Sequence, residues 1–119
     1  MPALYVWNVA GDRRKRMESL CARLRIPLVR VSPAQARLPL GRLAAPAAAA
    51  SPAAMPFPEE MLLMKGFPER LMDAFLAGLR EEGLAPIPLK AVLTPSNAGW
   101  DSVKLHDELL REARSFGAL

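Results

Sequence analysis

The chain states one pattern twice. Residues 4–32 read as an apolar strand, a loop, an amphipathic helix and a short strand, which Ile26-Pro27-Leu28 opens and Ser32-Pro33 closes. Residues 61–95 repeat that order, with Ile87-Pro88-Leu89 opening the second short strand and Thr94-Pro95 closing it. Two strand–helix–strand units in 119 residues fix an architecture of mixed helix and sheet.

The elements follow from spacing. Residues 3–9 form a strand almost free of polar interruption, and Gly11 and Asp12 turn it into a helix for which Asp12 is the expected N-cap. Met17, Leu20, Cys21 and Leu24 fall on one helical face, Pro27 stops the helix, and residues 28–31 make the second strand. Residues 61–64 are the third strand. Pro68 suits the first position of a second helix, whose buried stripe is Leu71, Met72, Phe75, Leu76 and Leu79 and whose stop is Gly83. Residues 87–93 are the fourth strand, and Asp101 caps a last helix with Val103, Leu109, Leu110 and Ala113 inward.

Right-handed crossovers in both units predict an α+β fold: a ferredoxin-like βαββαβ sandwich with two helices on one face, plus a C-terminal helix. A three-layer, doubly wound α/β sheet is the alternative, because both faces of the first and third strands are apolar. In the ferredoxin-like arrangement the last helix, the connector or a second subunit must cover the open face. Residues 33–58 differ from the rest, with six prolines and ten alanines. They read as a low-complexity connector inside a single domain spanning 1–119, and Leu38-Pro39-Leu40-Gly41 is the part suited to packing on the body.

Charge is distributed unevenly. Residues 1–45 carry a net +7 and residues 46–119 a net −3 within a total of +4. That polarity suits steering of an anionic partner, and equally the acidic half of another copy. No apolar run approaches the roughly 20 residues of a membrane span, no signal-peptide pattern precedes the first strand, and Cys21 has no partner for an internal disulfide. The expected compartment is cytoplasmic.

Three groups of residues stand out as candidate sites. Arg13, Arg14, Lys15 and Arg16 crowd the first turn of a helix, where the dipole disfavours cations and where strand–glycine–helix junctions bind anions. A solvated cluster is the plainer reading. Tyr5 and Trp7 lie two apart on one strand face, as stacking aromatics do in an RNA-recognition motif, although Pro68-Glu69-Arg70 breaks the partner signature after Lys65-Gly66-Phe67. A buried strand is the better reading. Lys90, Thr94, Asn97 and Trp100 gather at the C-terminal end of the fourth strand, the edge where α/β sheets place ligands. Lys90 is expected on the face opposite Ile87, Leu89, Ala91 and Leu93; alternatively Asn97 and Gly99 merely shape a turn that Trp100 staples.

His106 and Cys21 read as a packed core histidine and an inert core thiol, and Glu59-Glu60, Glu81-Glu82 and Asp107-Glu108 as solvated acids. No metal-ligand spacing, phosphate loop or nucleophile–base pattern is present, so no cofactor and no metal are expected.

Phe57-Pro58-Glu59-Glu60-Met61-Leu62, Leu71-Met72-Asp73-Ala74-Phe75-Leu76 and the run Ile87-Pro88-Leu89-Lys90-Ala91-Val92-Leu93-Thr94-Pro95-Ser96-Asn97, continued by Trp100 and Glu108-Leu109-Leu110, resemble the bacterial domain-of-unknown-function family DUF3783. The resemblance covers residues 57–112, with departures in the Ala-rich connector and at His106, and implies a cytosolic bacterial accessory protein without supplying an activity. Three functions follow as expectations. The first is a non-catalytic regulatory or protein-interaction module, self-associating as a homodimer through an apolar sheet face. The second is a nucleic-acid binder using Arg13–Arg16 with Tyr5 and Trp7. The third is a small-ligand sensor or enzyme around Lys90, Thr94, Asn97 and Trp100.

Overall fold

The computed structural model describes residues 1–43 and 54–117. Its elements run β1 (Ala3–Trp7), α1 (Gly11–Leu24), β2 (Leu28–Arg30), β3 (Met61–Lys65), α2 (Glu69–Glu81), β4 (Lys90–Val92) and α3 (Ser102–Ser115), with short 3₁₀ turns at Pro33–Gln35 and Leu40–Arg42. The four strands form one mixed sheet in the order β2-β1-β3-β4. β1 pairs in parallel with β2, β3 in parallel with β4, and the two units meet where β1 and β3 run antiparallel, Tyr5 opposite Leu63.

This order corrects the ferredoxin-like expectation. In that arrangement each strand–helix–strand unit is split by a strand of the other unit. Here the strands of each unit are neighbours, so neither unit is split. The reason lies between Arg30 and Met61. A short β2–β3 hairpin would force those strands together, whereas here the described ends of the connector pack on the second sheet face and β2 is free to pair with β1.

Those ends help to cover that face. Leu4, Val6, Leu62 and Met64 pack with Met17 and Leu20 of α1 and Phe75 and Leu79 of α2. On the other side Tyr5, Trp7, Met61 and Leu63 pack with Leu40, Leu43 and Phe57 of the connector and with Leu105 and Ala113 of α3. The result is three layers, as the alternative required, but around a mixed sheet. Both faces are occupied by the chain's own residues, so no apolar sheet face is left for self-association among the described residues.

The ordered part of the connector is tied to the chain before α3. Leu40 N–H donates to Trp100 O at 2.8 Å, Gly41 N–H to Ala98 O at 2.9 Å, and Ser102 N–H to Ala36 O at 3.1 Å. Glycine permits this close approach at position 41, where a Cβ would stand 3.3 Å from both Ala98 O and Ala98 Cβ. The alanine-rich stretch 44–53 lies outside the described residues.

Local boundaries shift at several points: β1 stops at Trp7 short of residue 9, and Pro68 takes the N-cap position of α2 ahead of its first turn. α1 begins at Gly11 with Ala10 in the cap position, and Asp12 pairs with Arg16 at 2.8 Å instead of capping. β4 shrinks to three residues because strand alternation fails before Lys90: Ile87 packs on one sheet face and Leu89, two residues on, packs on the other. Asp101 does cap α3, accepting from Lys104 N–H at 2.9 Å, and Gly83 ends α2 at a φ of +70°.

Candidate functional site

The basic cluster is largely spent inside the molecule. Arg13 clamps Glu60 with two hydrogen bonds of 2.8 and 2.7 Å and donates a third to Leu84 O, and the Glu60 contact raises its already high pKa. Arg16 pairs with Asp12 and donates to Glu82 O at the end of α2. Arg14 stands 3.9 Å from Glu18, leaving Lys15 as the exposed cation of the four without an ion pair among the described residues. The basic N-terminal half thus meets part of the acidic C-terminal half within one chain, as the Arg23 pairs with Glu81 and Glu82 also show.

Tyr5 and Trp7 are buried, which removes the stacking role. Their rings face the second core cluster, the Tyr5 hydroxyl donating to Leu43 O and Trp7 Nε1–H to Ser102 Oγ, each at 3.0 Å. Lys90 and Trp100 are carried to different faces of the sheet. Lys90 sits opposite Leu62, on the α1/α2 face, and its ammonium donates to Ile87 O, while Trp100 packs on the α3 side under Lys104. Ile87 belongs to the same cluster as Leu62, whereas Leu89, Ala91 and Leu93 face the other way. Partial burial lowers the Lys90 pKa. Asn97 builds the turn: its Oδ1 accepts from Thr94 N–H at 2.8 Å and its amide donates to Val92 O at 3.0 Å.

His106 has partners that the sequence concealed. Its ring stacks on Phe57 at 4.1 Å, with Nε2 2.8 Å from Glu59 Oε1 and Nδ1 3.1 Å from Asp107 Oδ1. Asn8, held at a φ of +61°, donates its amide hydrogens to Phe57 O and Glu59 O, and so fixes the strand end that presents Glu59. Glu59 is therefore not a freely solvated acid. The hydrogen bond from His106 holds its carboxyl below the usual glutamate range. A carboxyl with a depressed folded pKa contributes stability above its unfolded value, lost as pH falls through the folded one. Glu59→Gln is thus expected to cost stability at neutral pH, and the gap to wild type should narrow as pH falls through and below the ordinary glutamate range. Denaturant midpoints across that range check it, and a gap that persists in acid would refute the linkage. No group of three metal-ligating side chains occurs among the described residues. Burial pushes the Cys21 thiol up to about 12, which makes it a poor nucleophile.

Among the described residues, the outer edge of β2 is left unpaired. Leu4 N–H donates to Pro27 O and Val31 N–H to Val6 O, so the parallel ladder engages Pro27, Val29 and Val31. The N–H and C=O groups of Leu28 and Arg30 consequently point away from β1, off the sheet. Beside them runs a groove of about 400 Å³ between β2 and α1, lined by Glu18, Cys21, Ala22, Ile26, Leu28 and Arg30. The opposite edge is protected: Asn97 occupies the outward carbonyl of Val92, and Lys90 places a charge on that strand.

Residues 60–116 match the family model described as Domain of unknown function (DUF3783). This stretch, a little under half of the chain, is similar to that family. The chain matches no curated protein and no solved structure. The DUF3783 match takes in β3, α2, β4 and nearly all that follows, with Glu60 as its first residue. β1, α1 and β2 precede it, so the open edge and its groove are built by the portion outside the DUF3783 match. None of the described helices is long and apolar enough to cross a membrane. The β2 edge was not nominated from the sequence, because edge position depends on strand order, which no local spacing encodes.

Proposed function

We propose that the chain is a non-catalytic protein-interaction module that takes an extended segment of a partner alongside β2. One observation carries the reading: outward backbone groups of an edge strand lie next to an apolar-floored groove. An incoming strand would satisfy its main chain on Leu28 and Arg30 and place alternate side chains over Ala22, Ile26 and Leu28. The engaged state of His106, the raised thiol of Cys21 and the scattering of the Lys90 group over two faces support a binding role over a chemical one.

The test is selection of a random displayed peptide library on the wild-type protein, with Ala22→Trp as the competing bait. Ala22 is exposed on α1 and lines the groove, so the indole is expected to fill it while leaving the core intact. Selected peptides should share alternating apolar positions, shift the amide resonances of Leu28 and Arg30, and lose binding to Ala22→Trp. Peptides that bind both proteins equally would refute the edge as the docking site.

A further inference from the structure

Resting on the edge-docking reading, we infer that the segment taken by β2 carries a carboxylate two residues from an apolar side chain, the carboxylate facing Arg30 and the apolar group facing Leu28. Leu28 and Arg30 lie opposite Leu4 and Val6, so both side chains point to the α1 side of the sheet. Their spacing on a strand is two residues, and a paired strand must present its complementary groups at the same spacing.

The charge assignment comes from what is left unneutralised. Arg30 is exposed and has no ion pair among the described residues. Arg14 lies one turn before Glu18 on the groove side of α1, and α1 runs back along the sheet so that its first half lies near the C-terminal end of β2. The Arg14–Glu18 contact, at 3.9 Å, is too long for a hydrogen bond, and Arg14 Nε is the buried side-chain polar atom without a partner among the described residues. Arg25, which ends α1 with a φ of +58°, adds a second exposed cation, beside Ile26, to Arg30 and the half-buried Arg14. Glu18 is the one acid lining the groove. A cationic rim over an apolar floor made by Cys21, Ala22, Ile26 and Leu28 selects an acidic, alternating strand over a basic one. Arginine on an edge strand also repels most casual pairing, so the same residue discriminates.

The experiment uses synthetic labelled peptides of alternating Val and Thr around one Leu, C-terminally amidated, with Glu, Gln or Lys two residues after that Leu. A fourth peptide ends at that position with a free C-terminal carboxylate, which separates a side-chain carboxylate from a chain terminus. Fluorescence anisotropy should rank Glu above Gln above Lys, with roughly a tenfold span that shrinks as salt is raised. Arg30→Glu should invert the ranking, which a general loss of folding would not do. Equal binding of all charges, with the Leu28 and Arg30 amides still shifting, would overturn the carboxylate assignment and leave edge docking intact. Failure of every peptide to shift those amides would overturn edge docking itself. A sedimenting dimer whose Leu28 and Arg30 amides are protected without peptide would assign the edge to a second copy and overturn the inference.

Discussion

Trp7→Ala is expected to lower the unfolding free energy by about 3–5 kcal/mol. The indole is fully buried at the end of β1, opposite Met61 of β3, in the cluster that joins the sheet to Leu40, Phe57 and Leu105. Its removal opens a cavity among three elements held in register by the sheet, so collapse around it is limited. It also strips Ser102 Oγ, itself buried, of the indole N–H donor. Trp7→Phe separates these effects: most of the ring volume stays and the hydrogen bond goes, for an expected loss of about 1–3 kcal/mol. Chemical denaturation measures both. Hydrogen exchange should show the amides of α3 opening before those of α1, because α3 rests on the damaged cluster and α1 on the other face. A Trp7→Ala loss below about 1 kcal/mol would mean that the second face contributes little to stability.

That second face marks where sequence reasoning stops. Local periodicity reaches the elements: the stripe of α2, the Asp101 cap and the Gly83 stop all come from residues a few positions apart. Strand order does not, since it turns on whether β2 pairs with β1 or with β3, and Leu4 meets Leu28 only across the fold. In residues 33–58 the Leu38–Gly41 run does show its packing residue, Leu40, whereas prolines and alanines mask Leu43 and Phe57. Tyr5 and Trp7 show the same limit, for alternate aromatics on a wholly apolar strand look alike whether the face is bare or covered. The Glu59–His106 pair spans 47 positions and has no local signature. The β2 edge becomes visible only when strand order, the blocked β4 edge and the groove against α1 are considered together.

Gly78→Val is expected to cost about 3 kcal/mol, and Gly78→Ala a smaller amount of the same sign. Gly78 is buried within α2 where that helix crosses α1, and a Cβ there would fall 2.3 Å from Cδ1 of Leu20. Helix propensity argues the other way, since alanine gains about 1 kcal/mol over glycine in a helix interior. The clash wins because Leu20 is itself fully buried among Met17, Phe75 and Leu79 and has no space into which to swing. The helices must then separate, and the first-face cluster loosens with them. Leu20→Ala alone should cost about 2–5 kcal/mol by leaving a cavity. Combined with Gly78→Ala, it should cost less than the two single losses together, because the new methyl enters the space the leucine vacates. Denaturant unfolding of the four proteins closes that cycle. Strict additivity, or a Gly78→Ala protein more stable than wild type, would show that the crossing has slack and that glycine is not what sets the distance between α1 and α2.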